Sequence, residues 1–178
     1  MNAILQTQRL SLREMSLDDL DFVAGMLSDP EVMRYYPKCY TRSEAQAWIE
    51  RQRVRYEQDG HGLWIATEKT TGEPVGQVGL VQQQIEATAE TEVGYLIDRR
   101  FWRRGLGTEA ARGCRDFAFR ELDKDALISL IRPVNIPSQG VATNIGMSWK
   151  RRRVQHANLE HFVFSISRSE WQAAPPIS

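Results

Sequence analysis

Two glycines, Gly105 and Gly107, stand two residues apart behind Arg103 and Arg104, at a turn from an apolar, β-rich segment into a helical one. Glycine lets a backbone approach a ligand with no Cβ in the way. The first-turn amides of the following helix have no intrahelical acceptor and lie at the positive end of its dipole. They are ready donors for a phosphate or pyrophosphate, and the two guanidinium groups add charge that can reach phosphate oxygens. The loop is not the dinucleotide fingerprint. Its third glycine would fall where Ala110 stands, and it follows the third strand of a meander, not the first strand of a βαβ unit. Nor is it a P-loop, because Gly-Lys-Ser/Thr is missing. Read alone, the loop is also compatible with a tight turn that merely opens a helix.

The elements that must position this loop can be read from periodicity. Leu5 to Met15 alternates as a strand, and Ser16 caps a helix carrying Leu17, Leu20, Val23 and Leu27 on one face until Asp29-Pro30 breaks it. Thr41 and Glu44 form a capping box for a second helix that runs to Gly60. Strands are predicted at 63–68, 74–82 and 91–97, a helix at 108–122, and a nearly all-apolar central strand at 126–131. A short helix over 138–145 and an antiparallel strand pair, 149–154 with 161–167, complete the set. The resulting β-α-α-β-β-β-α-β-α-β-β order is a mixed α/β fold, a mostly antiparallel sheet with helices on both faces. Residues 1–172 read as one domain and 173–178, with Pro175 and Pro176, as a frayed tail.

Composition narrows the classes further. Twenty-three basic side chains balance twenty-three acidic ones, which counts against nucleic acid as the main partner. Lys150 to Arg153 is a local basic run, read as a solvated strand and turn, with a nucleic-acid or acidic-acceptor patch as the alternative. The first twelve residues lack a signal-peptide pattern, and no run is long enough for a membrane span. Cys39 and Cys114 lie in unrelated contexts and His61, His156 and His161 have no metal-ligand spacing, so neither a disulfide framework nor a metal is expected, and a cytoplasmic location is.

The segment Glu92-Val93-Gly94-Tyr95-Leu96-Ile97-Asp98, followed by Phe101-Trp102-Arg103-Arg104-Gly105-Leu106-Gly107-Thr108-Glu109-Ala110, resembles the acetyl-CoA-binding motif of the GNAT acetyltransferases. The likeness extends to the RimJ/RimL-type branch. Thr7 to Arg13 resembles its first strand and Asp29 to Tyr35 its first interhelical segment. Asn135, Ser138 and Gly146 fall on its Asn-x-x-Ser element and closing Gly-Phe, with Met147 in place of the phenylalanine. Arg168 to Trp171 matches its ending.

What the resemblance implies is a GNAT fold that moves an acetyl group from acetyl-CoA directly to an acceptor amine, a protein or peptide N-terminus or a small molecule. The pyrophosphate would sit on Arg103, Arg104, Gly105, Leu106, Gly107 and Thr108. Amides of Leu96 and Ile97 would dock the thioester, and Asn135 would meet the amide-rich pantetheine arm. Glu92, read as the one carboxylate of the strand leading into the loop, would be the general base. Ser138 would protonate the thiolate or cap its helix, since Ala142 stands where many relatives carry a tyrosine acid. Tyr35, Tyr36 and Trp48 would line the acceptor pocket, the alternative being ordinary core packing. A homodimer is left open. The rival reading is a non-catalytic acetyl-CoA sensor or a nucleic-acid-binding module.

Overall fold

A computed structural model describes residues 3–174. Most of the expected tail, 175–178, lies outside them. Ala173 closes a final helix instead of fraying, because Ser167 and Glu170 form a capping box for it.

The chain runs β1 (Leu5–Gln6), β2 (Leu10–Arg13), α1 (Leu20–Ser28), α2 (Arg42–Asp59), β3 (Leu63–Glu68), β4 (Pro74–Ile85), β5 (Thr88–Ile97), α3 (Leu106–Arg120), β6 (Ala126–Ile131), α4 (Ile136–Asn144), β7 (Ser148–His156), β8 (Leu159–Ser167) and α5 (Arg168–Ala173). The eight strands form one sheet in the order β1-β2-β3-β4-β5-β6-β8-β7. Every pairing is antiparallel except β5 with β6, which are parallel and bridged at Glu92 and Ile128. Among the described residues no helix is long and apolar enough to cross a membrane.

Period-two alternation sends successive strand residues to two large cores, and a third, small cluster joins Ile85, Ile128, Val154 and Val163. Trp64, Ala66, Val93 and Leu127 pack with Leu106, Ala110, Cys114 and Ala118 of α3 and with Ala142 and Ile145 around α4. Leu63, Ile65 and Val81 pack with α1 and α2 through Val23, Leu27, Ala45 and Ile49 on the other face. The helices therefore cover both faces. Each large side chain fully buried this way contributes about 1.5–3 kcal/mol.

Several boundaries differ from those read in the sequence, each for a local reason. The first strand is a small hairpin, because Thr7 Oγ1 accepts the Leu10 amide at 3.0 Å and turns the chain. Ser16 caps a 3-10 turn, Leu17–Asp19, before α1 begins. The β4–β5 hairpin is longer than expected at its tip, on both strands, since that polar tip pairs through the backbone without an apolar pattern. Glu90 therefore belongs to β5, so Glu92 is not its only carboxylate, but Glu90 is held by Arg152 at 2.7 Å. The helix after Pro133 starts at Ile136 with Asn135 as its cap, so Ser138 is not the N-cap. α4 forms despite Gly140 because Ala142 is fully buried against the core.

The basic run lies on a bulge between Trp149 and Arg153, where Arg151 adopts φ +65°. Lys150 pairs with Glu170, Arg152 with Glu90 and Arg153 with Glu160. Three of its four cations are thus already matched by carboxylates.

Candidate functional site

Beyond Glu92 and Ile128 the two parallel strands part. Ser129 Oγ donates to the Val93 carbonyl at 2.8 Å, and the Leu130 amide donates to Glu92 Oε1 at 3.2 Å. Side chains thus stand where ladder bonds would otherwise form, and the strands are wedged open. Two cavities meet at the wedge, one of about 530 Å³ beside α3 and one of about 350 Å³ above Glu92. Tyr35, Tyr36, Tyr95, Leu96, Asn135 and Ser138 line both.

The larger cavity ends on the glycine loop. Asp98 caps a 3-10 turn, Arg99–Phe101, and Trp102 Nε1 donates to the Ile97 carbonyl at 2.7 Å. The loop then needs left-handed backbone at Arg103 (φ +60°) and at Gly105 (φ +74°), which is the N-cap residue of α3. Glycine at 105 answers this conformation. A Cβ at Gly107 would come 3.2 Å from Ile97 Cγ1, so the second glycine lets α3 lie close against β5. Arg103, Gly105, Leu106, Gly107 and Thr108 line the cavity. Arg104 is turned the other way, ion-paired with Glu68 and stacked over Phe101. The first-turn amides of α3 with Arg103 fit a pyrophosphate.

The loop is braced from behind by the turn between β1 and β2. Glu109, in the first turn of α3, accepts from Thr7 Oγ1 at 2.6 Å and from the Arg9 amide at 2.7 Å. Burial opposes ionisation of Glu109, but the hydrogen bonds from Thr7 and Arg9 outweigh it and its pKa lies below the ordinary glutamate value. Arg9 also donates to the Arg104 carbonyl at 2.9 Å.

Along β5, Leu96 is paired with Gln77 of β4 and Asp98 donates to the Val75 carbonyl, so residues 94, 96 and 98 turn their main chain toward β4. By alternation the amides of Tyr95 and Ile97 face the opening, on the side where the carbonyls of Val93 and Ile97 accept from Ser129 and Trp102. Leu96 reaches the cleft with its side chain only.

Glu92 is half-buried at the apex of the wedge, where Gln83 Nε2 donates to Oε2 at 2.6 Å. Burial raises its pKa, while the hydrogen bonds from Gln83 and Leu130 and the charges of His156 and Arg55 act in the opposite direction. Ser138 is fixed at both ends of its backbone. Its amide donates to Asn135 Oδ1 at 3.2 Å and its carbonyl accepts from the Tyr95 hydroxyl at 2.7 Å. The cap uses the Asn135 oxygen and leaves its NH2 group as the donor for a carbonyl in the cleft.

Trp48 lines only the smaller cavity and donates from Nε1 to Gln77 Oε1 at 2.9 Å. Arg55, Arg132, His156 and His161 line the same cavity from α2, the end of β6, β7 and β8. None of these four, nor Tyr95, was singled out for the site in the sequence. Tyr95 alone had a signal there, standing inside the Glu92–Asp98 segment three residues from Glu92.

Residues 9–148 match the family described as acetyltransferase (GNAT) domain. The protein YkkB of Bacillus subtilis (strain 168) is 39% identical over 148 residues, covering 83% of this chain and 86% of its own. The acetyltransferase of Agrobacterium tumefaciens str. C58 superposes with a TM-score of 0.81 at 25% identity, over 93% of this chain and 94% of that one. AAC(6')-Ib, solved with paromomycin and acetyl-CoA, superposes with a TM-score of 0.81 at 15% identity, over 96% of this chain and all of that one (100%), a likeness of fold.

Proposed function

The chain belongs to the GNAT acetyltransferase family and is an acetyl-CoA-dependent N-acetyltransferase, and from that premise we propose that it transfers the acetyl group directly to an amine bound above Glu92. Acetyl-CoA supplies the activated acetyl thioester. Arg103 and the amides of Leu106 to Thr108 hold the pyrophosphate, Asn135 meets the pantetheine arm, and the edge amides of Tyr95 and Ile97 face the thioester carbonyl. Glu92 takes a proton from the incoming ammonium, directly or through water, so that the nitrogen lone pair can form the new C–N bond as the C–S bond breaks. Ser138 relays to the departing sulfur the second proton, which the newly acylated nitrogen must lose, and so ends with its own hydroxyl intact. Neither cysteine serves as an acyl carrier. Cys114 is buried in the core and Cys39 is not among the cavity-lining residues.

One observation carries this reading. A half-buried carboxylate lies at the junction where strands β5 and β6 part, with a cofactor-sized cavity on one side and a smaller one on the other. The motifs shared with the RimJ/RimL-type branch, Thr7 to Arg13 and the Asn135–Ser138 element, support placing the chain there. We read residues 1–172 as one acetyltransferase domain acting in the cytoplasm. Release of free CoA thiol that depends on both acetyl-CoA and an added amine tests the enzyme. A protein that binds acetyl-CoA and releases no thiol with any amine of a broad panel would be a sensor instead.

A further inference from the structure

Among the described residues the smaller cavity has one carboxylate on its wall, Glu92, and four groups that carry or can acquire positive charge, Arg55, Arg132, His156 and His161. Among the described residues neither arginine has a carboxylate partner, whereas Arg104, Arg152 and Arg153 each do. Arg132 Nη1 donates to the Tyr35 carbonyl at 3.3 Å, and its buried Nε has no partner among the described residues. Arg55 Nη1 donates to Gln52 Oε1 at 3.2 Å, and burial, then the neighbouring Arg51, lower its pKa against the opposing charges of Asp59 and Glu92. The two imidazoles meet edge to face, 5.7 Å between ring centroids. A half-buried guanidinium with no carboxylate in direct contact is costly, and an anion bound between two of them would offset that cost. A polyamine or aminoglycoside, by contrast, needs several carboxylates, and this wall offers one.

Building on the acetyltransferase reading, we propose that the acceptor is a small amine that also carries a carboxylate or a phosphate, its anion on Arg55 and Arg132 and its amine toward Glu92. A cavity of about 350 Å³ suits a molecule of that size. The acceptor is selected by the anion it carries, and the single carboxylate is reserved for the reacting nitrogen.

The test is acetyl transfer by the unmodified enzyme to matched amines: ethanolamine, phosphoethanolamine and β-alanine in one set, cadaverine with lysine and agmatine with arginine in others, and spermidine as a polycation. In at least one set kcat/KM should favour the anionic member by about tenfold or more, the scale of a charge-assisted hydrogen bond, and the phosphate and carboxylate arms tell the two anions apart. Calorimetry of the preferred amine with the enzyme–CoA complex should show the same order of affinity. In Arg55→Gln and Arg132→Gln the ratio between anionic and neutral partners should shrink about tenfold. Neutral amines or spermidine equalling every anionic partner would overturn this inference and leave the acetyltransferase standing. No transfer to any amine would overturn both.

Discussion

Arg9 Nε lies 2.6 Å from Glu109 Oε2, joining the turn between β1 and β2 to the first turn of the helix behind the glycine loop. With Thr7 it makes Glu109 a brace for the backbone that would carry the pyrophosphate. Glu109→Ala should therefore lower stability by about 1–3 kcal/mol and weaken acetyl-CoA binding as well, by urea unfolding and calorimetry. The brace is also pH-dependent. A depressed folded pKa contributes stability that is present above the ordinary glutamate value, about 4.3, and is lost as pH falls through the folded value. Glu109→Gln should be less acid-sensitive than the unmodified protein over that window. Equal slopes in the two proteins would detach Glu109 from the acid response.

Gly105 should tolerate no side chain without strain. Its φ of +74° costs an L-residue about 1–2 kcal/mol, more for a β-branched one. Gly105→Val is expected to weaken acetyl-CoA binding about tenfold or more by distorting the loop. Unchanged affinity in a folded variant would remove the loop from the cofactor site.

Trp48 lines only the smaller cavity, whereas Tyr35 and Tyr36 line both. Trp48→Phe should raise the acceptor KM and leave that of acetyl-CoA nearly unchanged. Tyr35→Ala should raise both constants together. The reverse pattern would exchange the two cavities.

Ser138→Ala should lower kcat modestly, because a thiol with a pKa near that of cysteine, about 8.5, leaves fairly well unaided. The Asn135 cap uses the Ser138 backbone and would survive the change, so the variant should fold normally. Full kcat in Ser138→Ala with a loss in Tyr95→Phe would move the proton-donating role to the Tyr95 hydroxyl, which reaches the same helix turn.

Glu92→Gln should reduce kcat by roughly 10²–10⁴-fold and abolish the acidic limb of the pH–rate profile. Burial raises the Glu92 pKa, so activity falls as pH drops through that raised value and the carboxylate is lost as a base. The same shift has a stability cost. The folded state is destabilised by ionising Glu92, an effect absent below the ordinary glutamate pKa and complete above the folded one. At neutral pH the variant should thus be at least as stable as the unmodified enzyme, since Gln83 can flip its amide to accept from the new NH2 group. A variant that kept the acidic limb would make Glu92 a structural residue.

Local chemistry left most of the scaffold legible. Period-two and period-3.6 patterns set element types, Thr41 with Glu44 marked α2, and the paired glycines marked the loop, because each signal lies within a few residues of its effect. Two further local signals were present and unread: Pro137 at the start of α4 placed the cap at Asn135, and Ser167 with Glu170 announced α5. The parting of β5 from β6, the turn of Arg104 toward Glu68 and the facing of Leu96 toward β4 depend on partners 36, 36 and 19 residues away. The gathering of Arg55, Arg132, His156 and His161 around Glu92 draws on four elements spread over more than a hundred residues. No spacing along the chain encodes that meeting. It arises because the packing on the two faces of the sheet, with the small cluster of Ile85, Ile128, Val154 and Val163, brings those elements to the same end of the wedge, and only the folded arrangement decides which charges face one another there.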